Sequence, residues 1–320
     1  MIRFLALAAL SFACTYTAVL RSGLIAPDPP AMTQILYSVP MFACSFVLLL
    51  CMVAYLVTRA RRAAIGVTAW ALAASLCLMT AGYWIGALKG YSADMVITEG
   101  QSLGGAELEG YSSGGYRGKY APAPEILITL EGLEPVFSGD GSLLEGLAAH
   151  LSVAREEGSA GGAITIARDT DGISAYGYRI SLGDEFGYAP RYELMSDQGR
   201  LLDSAFVSLN IFPPGREDFF RLLSPLTYYV RYYPGTDGGP GTPMLSVRIA
   251  RNKDVIHDGR VAVGEVFESA NASMSFPEVR MWTTIRVSRD PGRIYLLAGA
   301  LLALAALCRE AYARRGAGGR

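Results

Sequence analysis

Four stretches of the chain are apolar on every face. They are Phe4–Leu20, Ile35–Val57, Ala63–Leu88 and Ile294–Cys308. Runs of about 17–25 apolar residues are long enough to cross a hydrocarbon core of about 30 Å as helices. The last is short, at roughly 22 Å of helical rise, but Arg293, Tyr295 and the REAYARR tail can anchor its ends at the interfaces. Between the third and fourth runs the period changes. EILITLEG, AGGAITIARD, SAYGYRISLG, RYELMS, SAFVSLNIF, TYYVRYYPG, MLSVRIARN and RVAVGEVFE are short, rich in Ile, Val, Tyr and Thr, and punctuated by Gly, Asp and Pro. Leu245, Val247 and Ile249 alternate with Ser246, Arg248 and Ala250, the period of a strand with one buried face. Two stretches read as helices instead, GSLLEGLAAHLSVAREE and REDFFRLLS. The Gly/Ser/Tyr-rich piece GQSLGGAELEGYSSGGYRGKY reads as a mobile loop.

Arginine placement orients the apolar runs. Arg3 precedes the first, Arg59, Arg61 and Arg62 fill the loop between the second and third, and Arg309, Arg314, Arg315 and Arg320 follow the fourth. The positive-inside rule puts all three clusters in the cytoplasm. The first run could also be a cleavable signal peptide, but Ser11 stands where a lipoprotein site needs an aliphatic residue, and Arg21 follows without a small-residue cleavage motif. A retained helix is therefore expected. The expected fold class is a membrane α-helical bundle of four transmembrane helices plus a large extracytoplasmic β-rich domain, sandwich- or barrel-like. Residues 1–88 carry three spans (4–20, 35–57, 63–88). Residues 89–292 form the β-rich domain, and residues 293–320 the fourth span and a basic cytoplasmic tail. The expected location is the cell (inner) membrane, with both termini inside.

Composition agrees with this layout: of 320 residues 51% are hydrophobic and only 18% charged, more apolar than an ordinary soluble domain. All five cysteines (Cys14, Cys44, Cys51, Cys77 and Cys308) fall in apolar runs. The outer segment is thus no disulfide scaffold, although its compartment permits disulfides. Two readings stand for the cysteines: small packing residues, or a thiol relay or metal site. The two histidines, His150 and His257, both lie in the outer segment, without a second His or Cys at zinc spacing. Each is either locally hydrogen-bonded or an axial haem ligand. No nucleophile–base constellation, phosphate loop or dinucleotide motif makes a case for an enzyme. In TYYVRYYPG, alternation sends Tyr228, Val230 and Tyr232 to one face and Tyr229, Arg231 and Tyr233 to the other. The second face is either an amphipathic rim or a contact for a partner.

The order of the segments resembles the ResB family of cytochrome c biogenesis proteins. YSVPMFACSFVLLLCMVAYLVTRARR resembles that family's second span. GALKGYSADMVITEGQSL resembles the exit of its third, FGYAPRYELMSDQG its Gly-x-x-Pro strand and Asp-x-Gly turn, and Trp282–Arg315 its terminal strand–Asp-Pro-Gly–helix. The resemblance covers most of the architecture and about a third of the residues. It implies a non-catalytic scaffold and chaperone subunit of a haem-lyase complex. Its partners would be a haem-handling multi-span membrane protein with a Trp-rich motif, apocytochrome c and the lipid bilayer. Haem b would be shared with that partner. His150, His257 and Cys77 are the candidate haem ligands in this chain, and Tyr229, Arg231, Tyr233 and Trp282 the candidate partner contacts. One departure matters: relatives often carry a His near the start of the third span, where this chain reads RRAAIGVTAWALAAS. No span contains a His, so the isolated chain is expected to bind haem poorly. The competing expectation is a membrane-anchored sensor or envelope assembly protein whose β-domain binds a ligand or partner without haem. In either case Asp290 is expected to cap the final helix, with Pro291 in its first turn.

Overall fold

The computed structural model of the chain describes residues 38–60, 66–105, 116–137, 144–155, 161–167, 170, 172–222, 226–235, 241–252, 254–269 and 272–317. The expected first span, 4–20, and Cys14 lie outside them, as does much of the expected loop between residues 100 and 120. The described residues form two compact units, one helical and one β-rich.

The helical unit contains α1 (Val39–Ala60), α2 (Val67–Lys89) and α3 (Arg293–Ala317). Each is long and apolar enough to cross a membrane, over 20, 23 and 21 residues respectively. Helix α2 starts later than expected because Gly66 caps it, its carbonyl accepting the N–H groups of Ala69 and Trp70. Helix α3 continues past the apolar run through the polar REAYARR stretch. Asp290 closes the turn ahead of α3 rather than capping its first helical N–H groups: its Oδ1 accepts the Gly292 N–H at 2.9 Å, and the Gly292 carbonyl accepts the first helical bond, from Leu296. Pro291 stands in the preceding turn rather than inside the helix.

Helices α2 and α3 run antiparallel and touch backbone to backbone. A Cβ on Gly82 would lie 2.8 Å from the Gly292 carbonyl oxygen and 2.9 Å from the Leu296 nitrogen. Further along, Ser75 Oγ donates to the Gly299 carbonyl at 2.7 Å. Small residues at the seam, with a hydroxyl crossing it, are how apolar helices associate when the lipid is as greasy as they are. Helix α1 meets α2 through Trp84, whose Nε1 donates to Ser45 Oγ at 3.0 Å, and through the Phe42–Tyr83 ring pair at 5.2 Å. At the end of α2, Tyr116 OH donates to the Ala87 carbonyl and the Tyr120 N–H to that of Leu88 at 2.8 Å. These bonds satisfy carbonyls that a helix terminus leaves unpaired.

Among the described residues the strands form three sheets. The largest has the order β3 (Tyr116–Arg117), β1 (Tyr91–Thr98), β15 (Ala272–Arg289), β8 (Tyr178–Met195) and β7 (Ile173–Ala175). Two further strands attach to it, β14 (Val266–Ser269) on β15 and β9 (Leu201–Phe206) on β8. The second sheet is β10 (Glu217–Phe220), β11 (Leu226–Tyr233), β12 (Met244–Arg251) and β13 (Asp254–Ala262). The third is β2 (Ser102–Leu103), β4 (Ile126–Phe137), β5 (Leu144–Arg155) and β6 (Gly162–Ala167). The inner face of the second sheet, with Tyr228, Val230, Leu245, Val247 and Ile249, shares a core with Tyr192 and Leu194 of β8 and Met274 and Phe276 of β15.

Two expectations are corrected. LLEGLAAHLSVA is not helical but forms the central strand β5, paired on both sides. Leu147, Ala149, Leu151 and Val153 are at most 2% exposed, a period of two that the Leu- and Ala-rich composition hides. Pairing on both edges outweighs helix propensity, a weak local preference. REDFF likewise forms β10, which pairs with β11.

Candidate functional site

Alternation along β11 works as expected. Tyr228, Val230 and Tyr232 point into the core, while Tyr229, Arg231 and Tyr233 lie on the outer face. Register decides what joins them. Glu217 of β10 sits opposite Arg231, which sits opposite Ser246 of β12, itself opposite Arg260 of β13. The next row is Phe219, Tyr229, Arg248 and Asp258. Glu217 bridges two arginines, one oxygen 3.1 Å from Arg231 Nη2 and the other 3.0 Å from Arg248 Nη2. The Glu217 charge is the main cause of a raised pKa at Arg231.

The guanidinium groups lie over rings. Arg248 Cζ is 4.5 Å from the Tyr229 centroid, Arg260 5.5 Å from that of Tyr233, and Arg221 5.7 Å from that of Phe219. A cation over a ring face is attracted by the ring quadrupole, which holds each guanidinium close to the sheet surface. A planar guanidinium fork suits bidentate capture of carboxylates. On this face Arg221, Arg231, Arg248 and Arg260 outweigh Glu217 and Asp258, so it is cationic as well as aromatic. Exposed Phe219, 51% accessible, adds an apolar anchor. Arginine and aromatic enrichment with an apolar centre is the composition of binding hot spots.

The other sequence-derived candidates do not converge. Trp282, expected as a partner contact, is buried, and its Nε1 donates to the Leu209 carbonyl at 2.8 Å. Its inward side on β15 makes it a core residue. His150 lies on β5 with Nδ1 3.0 Å from Thr165 Oγ1 and Nε2 3.3 Å from Glu134 Oε1. His257 lies on β13, its ring 5.0 Å from Phe267 and its Nε2 buried beside Gly259 without a hydrogen-bond partner. An axial ligand needs a ring nitrogen open to the iron above a flat cavity. His150 has both nitrogens facing side chains of its own sheet, His257 has its Nε2 covered, and the two stand on different sheets. These histidines do not fit haem. Cys77 is an exposed thiol on α2, whereas Cys44 and Cys51 are buried on one side of α1. Among the described residues no group of three or more His, Cys, Asp or Glu side chains could hold a metal ion.

Sequence reasoning missed Glu217, Arg221, Arg248 and Arg260 as members of the outer face. The alternation of MLSVRIAR pointed Arg248 outward; only the register of four strands brings these residues together. No protein-family model and no curated protein matches the chain.

Proposed function

We propose that the chain is a membrane-held scaffold, non-catalytic by itself, whose β-rich region docks an acidic partner surface through the arginine–aromatic face of β10–β13. The observation that carries this reading is the set of guanidinium groups lying over aromatic rings on one sheet face, one of them, Arg248, joined to Arg231 by Glu217. Helix direction supports the sidedness. Contacts of Trp84 with Ser45 and of Gly82 with Gly292 make α2 antiparallel to both α1 and α3. The C-terminal ends of α1 and α3 therefore lie together with the start of α2. Arg59, Arg61, Arg62, Arg309, Arg314 and Arg315 cluster there in sequence, the signature of a cytoplasmic end. The chain leaves α2 and enters α3 at the opposite end, which supports an extracytoplasmic β-rich region. With a retained span at 4–20, both termini are cytoplasmic in the cell membrane.

By the resemblance to ResB, the partner is a haem-handling multi-span protein, the client is apocytochrome c, and any haem b is ligated by the partner. Arg231→Glu combined with Arg248→Glu tests the docking reading. Co-purification of that partner and the yield of holocytochrome should both fall at least about tenfold, since close interfacial charge pairs couple by several kcal/mol. Unchanged capture at normal protein level refutes it. The purified chain should show no stoichiometric Soret band. A strong band lost in His150→Ala, His257→Ala or Cys77→Ala would reverse the haem assignment.

A further inference from the structure

A second feature of the β-rich unit lies away from the arginine–aromatic face. A cavity of about 590 Å³ is lined by Thr98, Gln101, Phe206, Ser208 and Arg280, together with Glu99 and Gly100. Its volume is in the range of small-molecule sites. The Arg280 guanidinium is held by an aromatic ring and by a close backbone turn. The Phe206 ring lies 4.8 Å from Cζ. Gly100, at φ +77°, lies so close to the group that a Cβ would come within 2.6 Å of Arg280 Nη1. Two edges of the group are also held, Nη1 donating to the Glu99 carbonyl at 2.7 Å and Nε to Glu278 at 2.6 Å. The Nη2 group has no protein partner among the described residues.

Both neighbouring carboxylates are already engaged. Glu278 takes the Nε edge, and the Glu99 oxygens accept the Leu133 and Met281 N–H groups, each at 2.9 Å. Gln101 is oriented unambiguously. Its Oε1 accepts the Thr98 N–H at 3.1 Å, so its amide NH₂ is the end left to donate. The Ser208 hydroxyl also has no protein partner among the described residues. The wall therefore offers three unmatched donors, two of them on rigidly held groups, beside one aromatic ring. A small preorganised donor set of this kind selects for an anionic, planar acceptor.

We propose that this cavity binds an organic carboxylate, received by Arg280 Nη2, Gln101 and Ser208, with the rest of the molecule against Phe206. The carboxylate comes from a free small acid or from the C-terminus of a peptide. No covalent step is involved. The test uses the full chain in detergent and calorimetric titration with three probes: benzoate, acetyl-alanyl-alanine with a free C-terminus, and the same peptide as its C-terminal amide. At least one acid should bind saturably and the amide at least about tenfold more weakly. The tighter acid tells which source the site prefers. Gln101→Glu keeps the oxygen that accepts from Thr98 and turns the donor into a negative oxygen. It should weaken the acid at least about tenfold while leaving the unfolding midpoint in place. Arg280→Lys, which keeps the charge but loses the planar fork, should also weaken it. The proposal is overturned if neither acid binds up to about 10 mM, if the amide binds as well as the acid, or if Gln101→Glu leaves affinity unchanged.

Discussion

Replacing Gly82 by Leu tests the seam on which the helical unit depends. The first added atom alone would sit 2.8 Å from the Gly292 oxygen, 2.9 Å from the Leu296 nitrogen and 2.9 Å from the Tyr295 Cβ. Two of these neighbours are backbone, so no side chain can rotate away, and α2 and α3 must part. Overpacking of this kind costs about 1–3 kcal/mol. Separation also stretches the Ser75–Gly299 hydrogen bond of 2.7 Å, and an interhelical bond of this type contributes about 0.6 kcal/mol and at most about 1.7. Against this, Leu is a better helix former than Gly by about 0.8 kcal/mol. The net expectation is a loss of about 1–4 kcal/mol. The assay is SDS-induced unfolding in bicelles, followed through the fluorescence of Trp70 and Trp84 on α2. Ala81→Leu, on the exposed side of the same helix, is the control and should shift stability by less than about 0.5 kcal/mol. If Gly82→Leu matches the control, or stabilises the protein through its propensity, the close-contact reasoning is wrong.

Two further outcomes are expected. Tyr192 is buried and donates to Asp203 Oδ2 at 2.7 Å; desolvation first, then that hydrogen bond, pushes its pKa up to about 12. Between the unfolded value near 10 and about 12 the folded state binds more protons than the unfolded chain. Stability is therefore whole below about pH 10 and falls as pH rises through this window. Thermal midpoints across the window should drop in the parent and drop less in Tyr192→Phe; equal slopes would refute the assignment. Glu99→Gln leaves a donor facing one of the two backbone N–H groups that the carboxylate now satisfies. It should cost about 1–3 kcal/mol, read by denaturation of the β-rich unit; a neutral result would mean the turn is held by other bonds.

The parts of the structure that were legible in the sequence are those set by short periods. Continuous apolarity marked α1, α2 and the start of α3 within a few residues but missed the polar last turns of α3, and alternation in TYYVRYY and MLSVRIAR correctly separated core from outer face. LLEGLAAHLSVA misled because Leu, Ala and Glu favour helices locally, and its alternation shows only once strands flank it on both sides. The binding face was legible in part, through Tyr229, Arg231 and Tyr233. Glu217 is 14 residues from Arg231 and 31 from Arg248, and no local pattern announces that strand register will place them together. Trp282 misled for a related reason: a large aromatic on a terminal strand fits surface and core equally until the facing strand is known.

The end of α2 is finished by residues that are made much later. The carbonyls of Ala87 and Leu88 find their donors in Tyr116 and Tyr120, which leave the ribosome well after β1. During insertion this helix must therefore emerge with its terminus still hydrated, and it becomes sealed when the nascent chain doubles back. A pause or truncation between these two points would strand an inserted but unfinished hairpin, a natural handle for quality-control proteases.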